Sequence, residues 1–548
     1  MIANIRFIDK HKNIAVVFAM ICMALYASLN IFWGFELVDS GFHLTAYENV
    51  FDAPGSVTYN FMYYLTNIVG GFFMYCFPSM GIVGFRVLGA LFILLSIWIM
   101  YLTLKSDIPI SHLLLGASII VICYVKAPYS FNNGIFSCFL YVIAVVSIYK
   151  GFTIDNTLLI FLGGFVVGIN IFTRIPNVLG VGISLVVLWR KKIVNCDSGL
   201  SWREFFMFIG GMLLGVASIF LLMEDLGHTE IFFDCMSVLL NMGSNSENSH
   251  GLLSLIGAQI IFWFQNLIPI LVFYAVLNIP KEFESSSIIS KFVYGVLILF
   301  VFWYFYNIDT AYRIIWGMCV VGCLMCLVRC NNNLRLFSVL SLYVLIVEPM
   351  GSEFASNHGS LPALLAAPVA SLMIIDKINI KYYAVFLLTM LLLIVQKGNY
   401  TDNSSIFDKK STIHGVETEF IFTSKSKAEA INNTMNEIKR FICPKDTLLC
   451  FPSAPMMNYL THTRPAGGHC WITPKGTFVK DIEGTPAILF NKFSSLSDNW
   501  PEGGCVRSIR DNYGYDIRSF LLKNNYEKVF ENPYFILFLS KSKSYRTL

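Results

Sequence analysis

The sequence predicts a polytopic α-helical membrane protein of about 13 spans, with interfacial helices in its first outer loop and a small C-terminal α/β soluble domain. Three observations carry that expectation. Of the 548 residues, 56% are hydrophobic and only 14% charged, whereas a soluble chain carries about 25% charge. Apolar runs of about 20 residues, the length that crosses a bilayer, recur as far as residue 396. Lysine and arginine then sort into alternate loops, as the positive-inside rule requires.

The runs lie near 13–34, 80–104, 110–126, 131–149, 157–174, 175–189, 204–223, 252–279, 288–306, 312–328, 334–348, 360–375 and 381–396. The first, Ile14 to Trp33, is too long for a signal-peptide core and lacks a small-residue cleavage site, so it reads as a retained anchor. Arg6, Lys10 and Lys12 put the N-terminus in the cytoplasm. Later cytoplasmic loops then carry Lys105, Lys150, "RKK" at 190–192, Lys281, Arg329 with Arg335, and Lys377, while 35–85, 224–251 and 348–376 hold no lysine or arginine. Counting 57–77 as a full span would reverse every later loop. "SVTYNFMYYLTNIVGGFFMYC" is therefore expected to lie in, or dip into, the outer interface, a depth that suits its tyrosines.

Residues 1–396 thus form a transmembrane module. Residues 397–548 form an extracytoplasmic α/β domain, opening on the polar linker "KGNYTDNSSIFDKKSTIHG". Within it, 427–442 reads as an amphipathic helix, and 446–451 and 534–540 read as strands. Four cysteines there (Cys443, Cys450, Cys470, Cys505) permit disulfides in an exported domain, with three connectivities open. "CVVGCLMC", Cys319 to Cys326, has metal-like spacing, but it sits in a spanning run without a histidine, where small buried hydrophobes are the plainer account. The net charge of +4 and the absence of a basic stripe argue against nucleic acid.

Four cations break the charge rule by sitting at outward helix ends: Arg86, Lys126, Arg174 and Arg313. Snorkelling to headgroups or pairing with an acid explains such residues in ordinary cases. The functional account is an anion site in the outer leaflet, where arginine grips phosphate with two prongs. The outer loops supply the complement: Asp39, His43, Glu48 and Asp52; Glu224, Asp225, His228, Glu230, Asp234 and His250; Glu348, Glu353 and His358. A carboxylate able to take a proton from a hydroxyl, beside cations that stabilise a departing phosphate, suits group transfer. Histidines and acids also leave a divalent metal ion open as a cofactor, though their spacing does not specify one.

The order of these features resembles the GT-C glycosyltransferases, in particular the branch with protein O-mannosyltransferases and the lipid A aminoarabinose transferase. That family opens with one span and an outer loop carrying an acid near its start, matched by "VDSGFHLTAYENVF" with Asp39. A proline-containing segment and an aromatic interfacial helix follow, matched by "DAPGSVTYNFMYYLTNIVGGFF". A span opening with arginine is matched by "GFRVLGALFILLSIWIMYLTLK" with Arg86, and a Thr-(Lys/Arg)-x-Pro junction by "FTRIPNVLGVGISLVVLWRKK" with Arg174. "NHGSLPALLAAPVASLMI", with His358, matches a late segment. The departures are Asp39-Ser40 for an Asp-Glu pair, "DAPGS" for Lys-Pro-Pro, and Asn132 with Asn133 for a second acid.

The resemblance covers about residues 1–396 and implies an inverting glycosyltransferase. It would move a sugar from a polyprenyl-phosphate donor to a hydroxyl on a glycan, lipid or protein acceptor, at the outer face of a bacterial inner membrane, with the C-terminal domain periplasmic. It implies Asp39 as general base, its pKa raised by burial between the interfacial helix and the soluble domain. It implies Arg86, Arg174, Arg313, Lys126 and His358 around the donor phosphate, and His43, Glu48, Tyr63 and Tyr64 lining the acceptor cavity. A helix N-cap is the ordinary alternative for Asp39. The rival functions are a multi-spanning transporter, and an O-antigen ligase or polymerase, whose late outer loop is arginine-rich where 224–251 is not. His462, Arg464 and His469 in "FPSAPMMNYLTHTRPAGGHCW" are candidates for an acceptor groove, against a plain turn-rich connection.

Overall fold

The computed structural model describes residues 12–123, 130–194, 199–244, 253–254, 256–266, 308–330, 333–350, 363–375, 402, 404–452, 454–470, 485–493, 500–501, 521 and 523–540. Helix α1 (Lys12–Phe32) leads to a short connecting segment, then α2 (Asp39–Asn49), a 3-10 stretch Pro54–Tyr63 and α3 (Tyr64–Cys76). The membrane part continues as α4 (Gly81–Leu104), α5 (Ile110–Cys123), α6 (Asn133–Thr153), α7 (Thr157–Asn170), α8 (Ile183–Leu188), α9 (Trp202–Asp225), α10 (Thr229–Ser244), α11 (Ile308–Arg329), α12 (Leu334–Val347) and α13 (Ala363–Ile375). Among the described residues three helices are long and apolar enough to cross a membrane: Pro78–Leu104, which contains α4, Asn133–Thr153 and Trp202–Asp225. The expected runs 288–306 and 381–396, and most of 252–279, lie outside the described residues.

Local chemistry sets the helix ends. Asn132 and Asn156 cap α6 and α7 by accepting from the main-chain N–H of Ile135 and Leu158, each at 3.0 Å, which satisfies donors a helix start leaves open. The run expected as one span over 157–174 breaks after Asn170 into a 3-10 turn, and Arg174 adopts extended backbone. Pro176 then sits in the first turn of the stretch Ile175–Gly182, where a missing N–H is tolerated. In the ambiguous stretch, α3 has 13 residues. Its ~20 Å length falls short of the ~30 Å hydrocarbon core.

The tightest helix pair is α7 against α9. A Cβ on Gly164 would lie 2.0 Å from the Phe208 carbonyl oxygen, and one on Gly211 2.0 Å from that of Phe161. Gly168 and Gly215, four residues further along each helix, face Met212 and Phe165 in the same way. Such small-xxx-small pairs let helix backbones touch where no hydrophobic effect drives association.

The C-terminal part contains a two-stranded ladder, β1 (Ser411–Thr412) with β2 (Phe422–Thr423), and helix α14 (Lys425–Ile438). A five-stranded mixed sheet follows in the order β4-β3-β5-β7-β6. Its strands are β3 (Thr447–Phe451), β4 (Arg464–Pro465), β5 (Ala487–Asn491), β6 (Tyr526–Glu531) and β7 (Phe535–Ser540), with short helix α15 (Met456–Thr461) between β3 and β4. β3 runs parallel to β4 and β5; β7 is antiparallel to β5 and β6. Every residue of β5 is buried, whereas β7 alternates buried with half-buried, as expected of a central strand and of a one-sided neighbour. Cys443, Cys450 and Cys470 are free thiols, and Cys505 lies outside the described residues.

The C-terminal part grips the segment between α1 and α2 through main-chain bonds. The Gly34 N–H donates to Phe422 O at 2.8 Å beside a parallel Trp33–Phe422 bridge, and the Met456 N–H donates to Leu37 O at 3.0 Å. Phe35 donates to Asp402 Oδ2 at 3.1 Å and accepts from Lys427 Nζ at 3.1 Å. Thr45 Oγ1 donates to Pro455 O at 2.9 Å. Gly41 permits the closest approach, since a Cβ there would lie 2.2 Å from the Met456 nitrogen.

Candidate active site

Asp39 is the first residue of α2, but it is not the cap. Glu36 is, three residues earlier. Glu36 Oε2 accepts the N–H of Val38 at 2.8 Å and of Asp39 at 2.9 Å, and Oε1 accepts that of Ser40. A carboxylate at a helix start also favours the macrodipole. Asp39 is exposed while Glu36 and Ser40 beside it are buried. Asp39 is thus not enclosed as expected; Glu36 takes the enclosed position at the helix start. Sequence reasoning passed over Glu36; its signal was an acid three residues ahead of a helix start.

Arg86 is buried and donates to three main-chain oxygens: Ile31 at 3.0 Å, Trp33 at 3.3 Å and Gly34 at 2.6 Å. It closes the C-terminal end of α1, where carbonyls otherwise lack partners. The cation at the head of α4 therefore fixes where the chain leaves α1 and turns toward α2.

Tyr63 marks where the predicted base and a predicted cation come together. It lies within electrostatic reach of both Asp39 and Arg174; burial holds its phenol above the usual range, Arg174 opposing and Asp39 reinforcing that rise. Its ring is 5.7 Å from His43 and 6.1 Å from Phe42. His43 is buried and stacks on Tyr47 at 6.0 Å. Burial drives its pKa down to about 4 despite a hydrogen bond with Asn133, so it is a neutral imidazole at pH 7. Tyr64 is buried, and its hydroxyl meets His228 Nδ1 at 3.3 Å, which ties α3 to the turn between α9 and α10.

Arg174 is 5% exposed. Its Nη1 donates to the main-chain oxygen of Glu348 at 2.5 Å and stands 3.6 Å from Glu348 Oε1. The guanidinium makes no other hydrogen bond with the described residues.

Glu48 faces the C-terminal part. His462 Nδ1 lies 2.5 Å from Glu48 Oε1, and its Nε2 lies 2.9 Å from Glu417 Oε1. Ionised carboxylates only accept, so this imidazole carries both protons. Hydrogen bonds donated to Glu417 and then to Glu48 raise its pKa to about 10. The pair is asymmetric: His462 holds Glu417 below the carboxylate range, while burial pushes Glu48 up. His469, 3% exposed, stacks on Tyr59 at 3.8 Å, and burial lowers its pKa to about 3. Arg464 opens β4.

Lys126 and His358 lie outside the described residues, and Arg313 sits on α11 with its side chain outside them. Among the described residues no three His, Cys, Asp or Glu side chains converge as metal ligands.

Fold and composition define a helical membrane protein. Its apolar helices carry large hydrophobic side chains on their outsides, such as Phe18 on α1 and Leu221 on α9, at 67% and 72% exposure, and a bilayer is the solvent that suits such surfaces. No family model matches the sequence, and no curated protein matches it. Among solved structures the chain is similar to the Archaeoglobus fulgidus oligosaccharyltransferase in complex with Zn and sulfate, at 11% identity and a TM-score of 0.46, over 86% of this chain and 68% of that one. The same enzyme tethered to an acceptor peptide with the NVT sequon aligns at 10% identity and a TM-score of 0.43, covering 87% and 69%. ArnT from Cupriavidus metallidurans bound to undecaprenyl phosphate aligns at 12% identity and a TM-score of 0.44, covering 96% of this chain and 98% of that one.

Proposed function

We propose that this chain is a GT-C-type membrane glycosyltransferase. It transfers a sugar from a polyprenyl-phosphate donor to an acceptor hydroxyl, at the extracytoplasmic face of a bacterial inner membrane. Asp39 takes the proton of the hydroxyl, and that oxygen attacks the anomeric carbon. The bond from the sugar to the phosphate oxygen breaks, and the polyprenyl phosphate leaves with configuration inverted. Arg174 steadies the negative charge gathering on the leaving phosphate. Arg86 serves this reading indirectly, by setting the path from α1 to α2. Arg313, Lys126 and His358 remain proposed contributors to the phosphate site. Tyr63, Tyr64 and His43 shape the acceptor side, and Glu48 docks the C-terminal domain over it.

The observation that carries the reading is the position of Tyr63, within electrostatic reach of an exposed carboxylate at a helix start and of an arginine that makes one hydrogen bond with the described residues. A base and a phosphate cation near one aromatic side chain suit single-displacement transfer. The ordered motifs from Asp39 to Arg174 point the same way. The test is to reconstitute the protein in proteoliposomes with a panel of polyprenyl-phosphate sugars and a mixed glycan, lipid and peptide acceptor pool. Sugar transfer with release of polyprenyl phosphate supports the reading; solute uptake without transfer refutes it in favour of a transporter.

A further inference from the structure

Arg174 and Glu348 are an unequal pair. Both are buried, with Glu348 fully enclosed at the end of α12. Arg174 Nη1 spends its hydrogen bond on the Glu348 main-chain oxygen, and the carboxylate lies beyond bonding distance at 3.6 Å. Neither Oε1 nor Oε2 of Glu348 accepts a hydrogen bond from the described residues. Two further buried polar atoms beside the pair also lack protein partners: the Tyr141 hydroxyl, within electrostatic reach of both Glu348 and Arg174, and Asn177 Oδ1, in the 3-10 stretch that Arg174 opens. A buried carboxylate without donors is costly to keep ionised, and a nearby cation is what holds it so.

We propose that Glu348 is the resident counter-ion of the donor-phosphate site, displaced from Arg174 when the lipid-linked phosphate binds and taking up a proton as it is displaced. The inference rests on the reading of Arg174 as the phosphate-holding residue. One buried guanidinium cannot neutralise a phosphate and a carboxylate at the same place, and two like charges in one enclosed site force one to protonate. Among the described residues, the charged and titrating groups that interact with Glu348 are Arg174 from the head of the 3-10 stretch and Cys138 and Tyr141 from α6, and none of these supplies a second cation. The main-chain tether from Arg174 to residue 348 survives any change of the Glu348 side chain, so Glu348→Gln keeps the geometry and removes the competing charge.

The experiment titrates the full-length protein in nanodiscs with farnesyl phosphate, by calorimetry at pH 6 and pH 8 in two buffers of different ionisation enthalpy. At pH 8 the free phosphate is a dianion and can itself gain a proton on binding, so the uptake is assigned to Glu348 by its loss in Glu348→Gln. The wild type is expected to take up about one proton per ligand at pH 8 and to bind more tightly at pH 6 than at pH 8. Glu348→Gln is expected to bind roughly tenfold more tightly than wild type at pH 8, within the usual range of coupling between sites, and to lose the uptake. Affinity in Glu348→Gln that is unchanged or weaker, or wild-type binding without proton uptake, overturns the counter-ion role; the second outcome needs no variant to fold. If the wild type does not bind farnesyl phosphate, or Arg174→Ala binds it as well as wild type does, the phosphate site itself falls and this inference with it.

Discussion

Glu48 and His462, 414 residues apart in sequence, meet at 2.5 Å and join α2 to the C-terminal part of the chain. His462 sits in the left-handed region (φ 54°) as the C-cap of α15, which aims its ring across the gap. With Glu417 on the other nitrogen, the imidazole clamps α2 and the 3-10 turn Val416–Thr418 together.

That clamp titrates. The folded pKa of His462 is raised to about 10 from 6.5. Its stabilisation is therefore fully present below pH 6.5 and is lost as pH rises through about 10. With the side chain 43% exposed, screening limits the effect to on the order of 1 kcal/mol. Proteolysis of the C-terminal domain should speed up between pH 7 and pH 10 in the wild type. His462→Gln should be cleaved faster at pH 7 and show a flatter pH profile.

Arg86 tests a structural cation against a ligand-holding one. Losing three hydrogen bonds from a charged donor, two of them buried and each contributing about 1.5–3 kcal/mol, should make Arg86→Ala strongly destabilised in thermal unfolding of the detergent-solubilised protein. Arg86→Lys keeps the charge but not the fork that reaches three oxygens, and should remain well below wild type. Wild-type melting of Arg86→Lys would show that charge alone matters there.

Glu36 offers a cleaner separation. Glu36→Ala removes the α2 cap and should cost roughly 1–2 kcal/mol. Because it loosens the helix that presents Asp39 without touching Arg174, kcat should fall while KM for the donor changes little. A donor KM that rises in step with the loss of kcat would place Glu36 in donor binding.

The α7–α9 contact predicts a membrane-part defect with no chemistry attached. Gly164→Val forces the helices apart and should destabilise by about 1–3 kcal/mol, as overpacking does. An unchanged melting temperature would mean the two helices do not pack as closely as described.

Much of the scaffold was legible because it follows periodicity. The helix expected over 427–442 runs Lys425–Ile438, and the strands expected at 446–451 and 534–540 run Thr447–Phe451 and Phe535–Ser540. The break at Arg174 was readable from Pro176. What was not legible depends on long-range pairing. Arg86 looks like any outward-end arginine until the chain end of α1 is placed against it, and Glu48 looks like a helix-surface charge until His462 arrives from the far end of the chain. Glu36 shows the opposite case: a local cap hidden by the more conspicuous Asp39 three residues on. Hydropathy finds segments, but not which polar side chain a fold will consume internally.

The central claim is that Asp39 removes the acceptor proton. Its most direct measurement is single-turnover sugar transfer by Asp39→Asn in proteoliposomes, with donor binding followed in parallel. The account predicts donor affinity near wild type and transfer slowed by about 10²–10⁴-fold, the usual contribution of a positioned base. Transfer at the wild-type rate would contradict it.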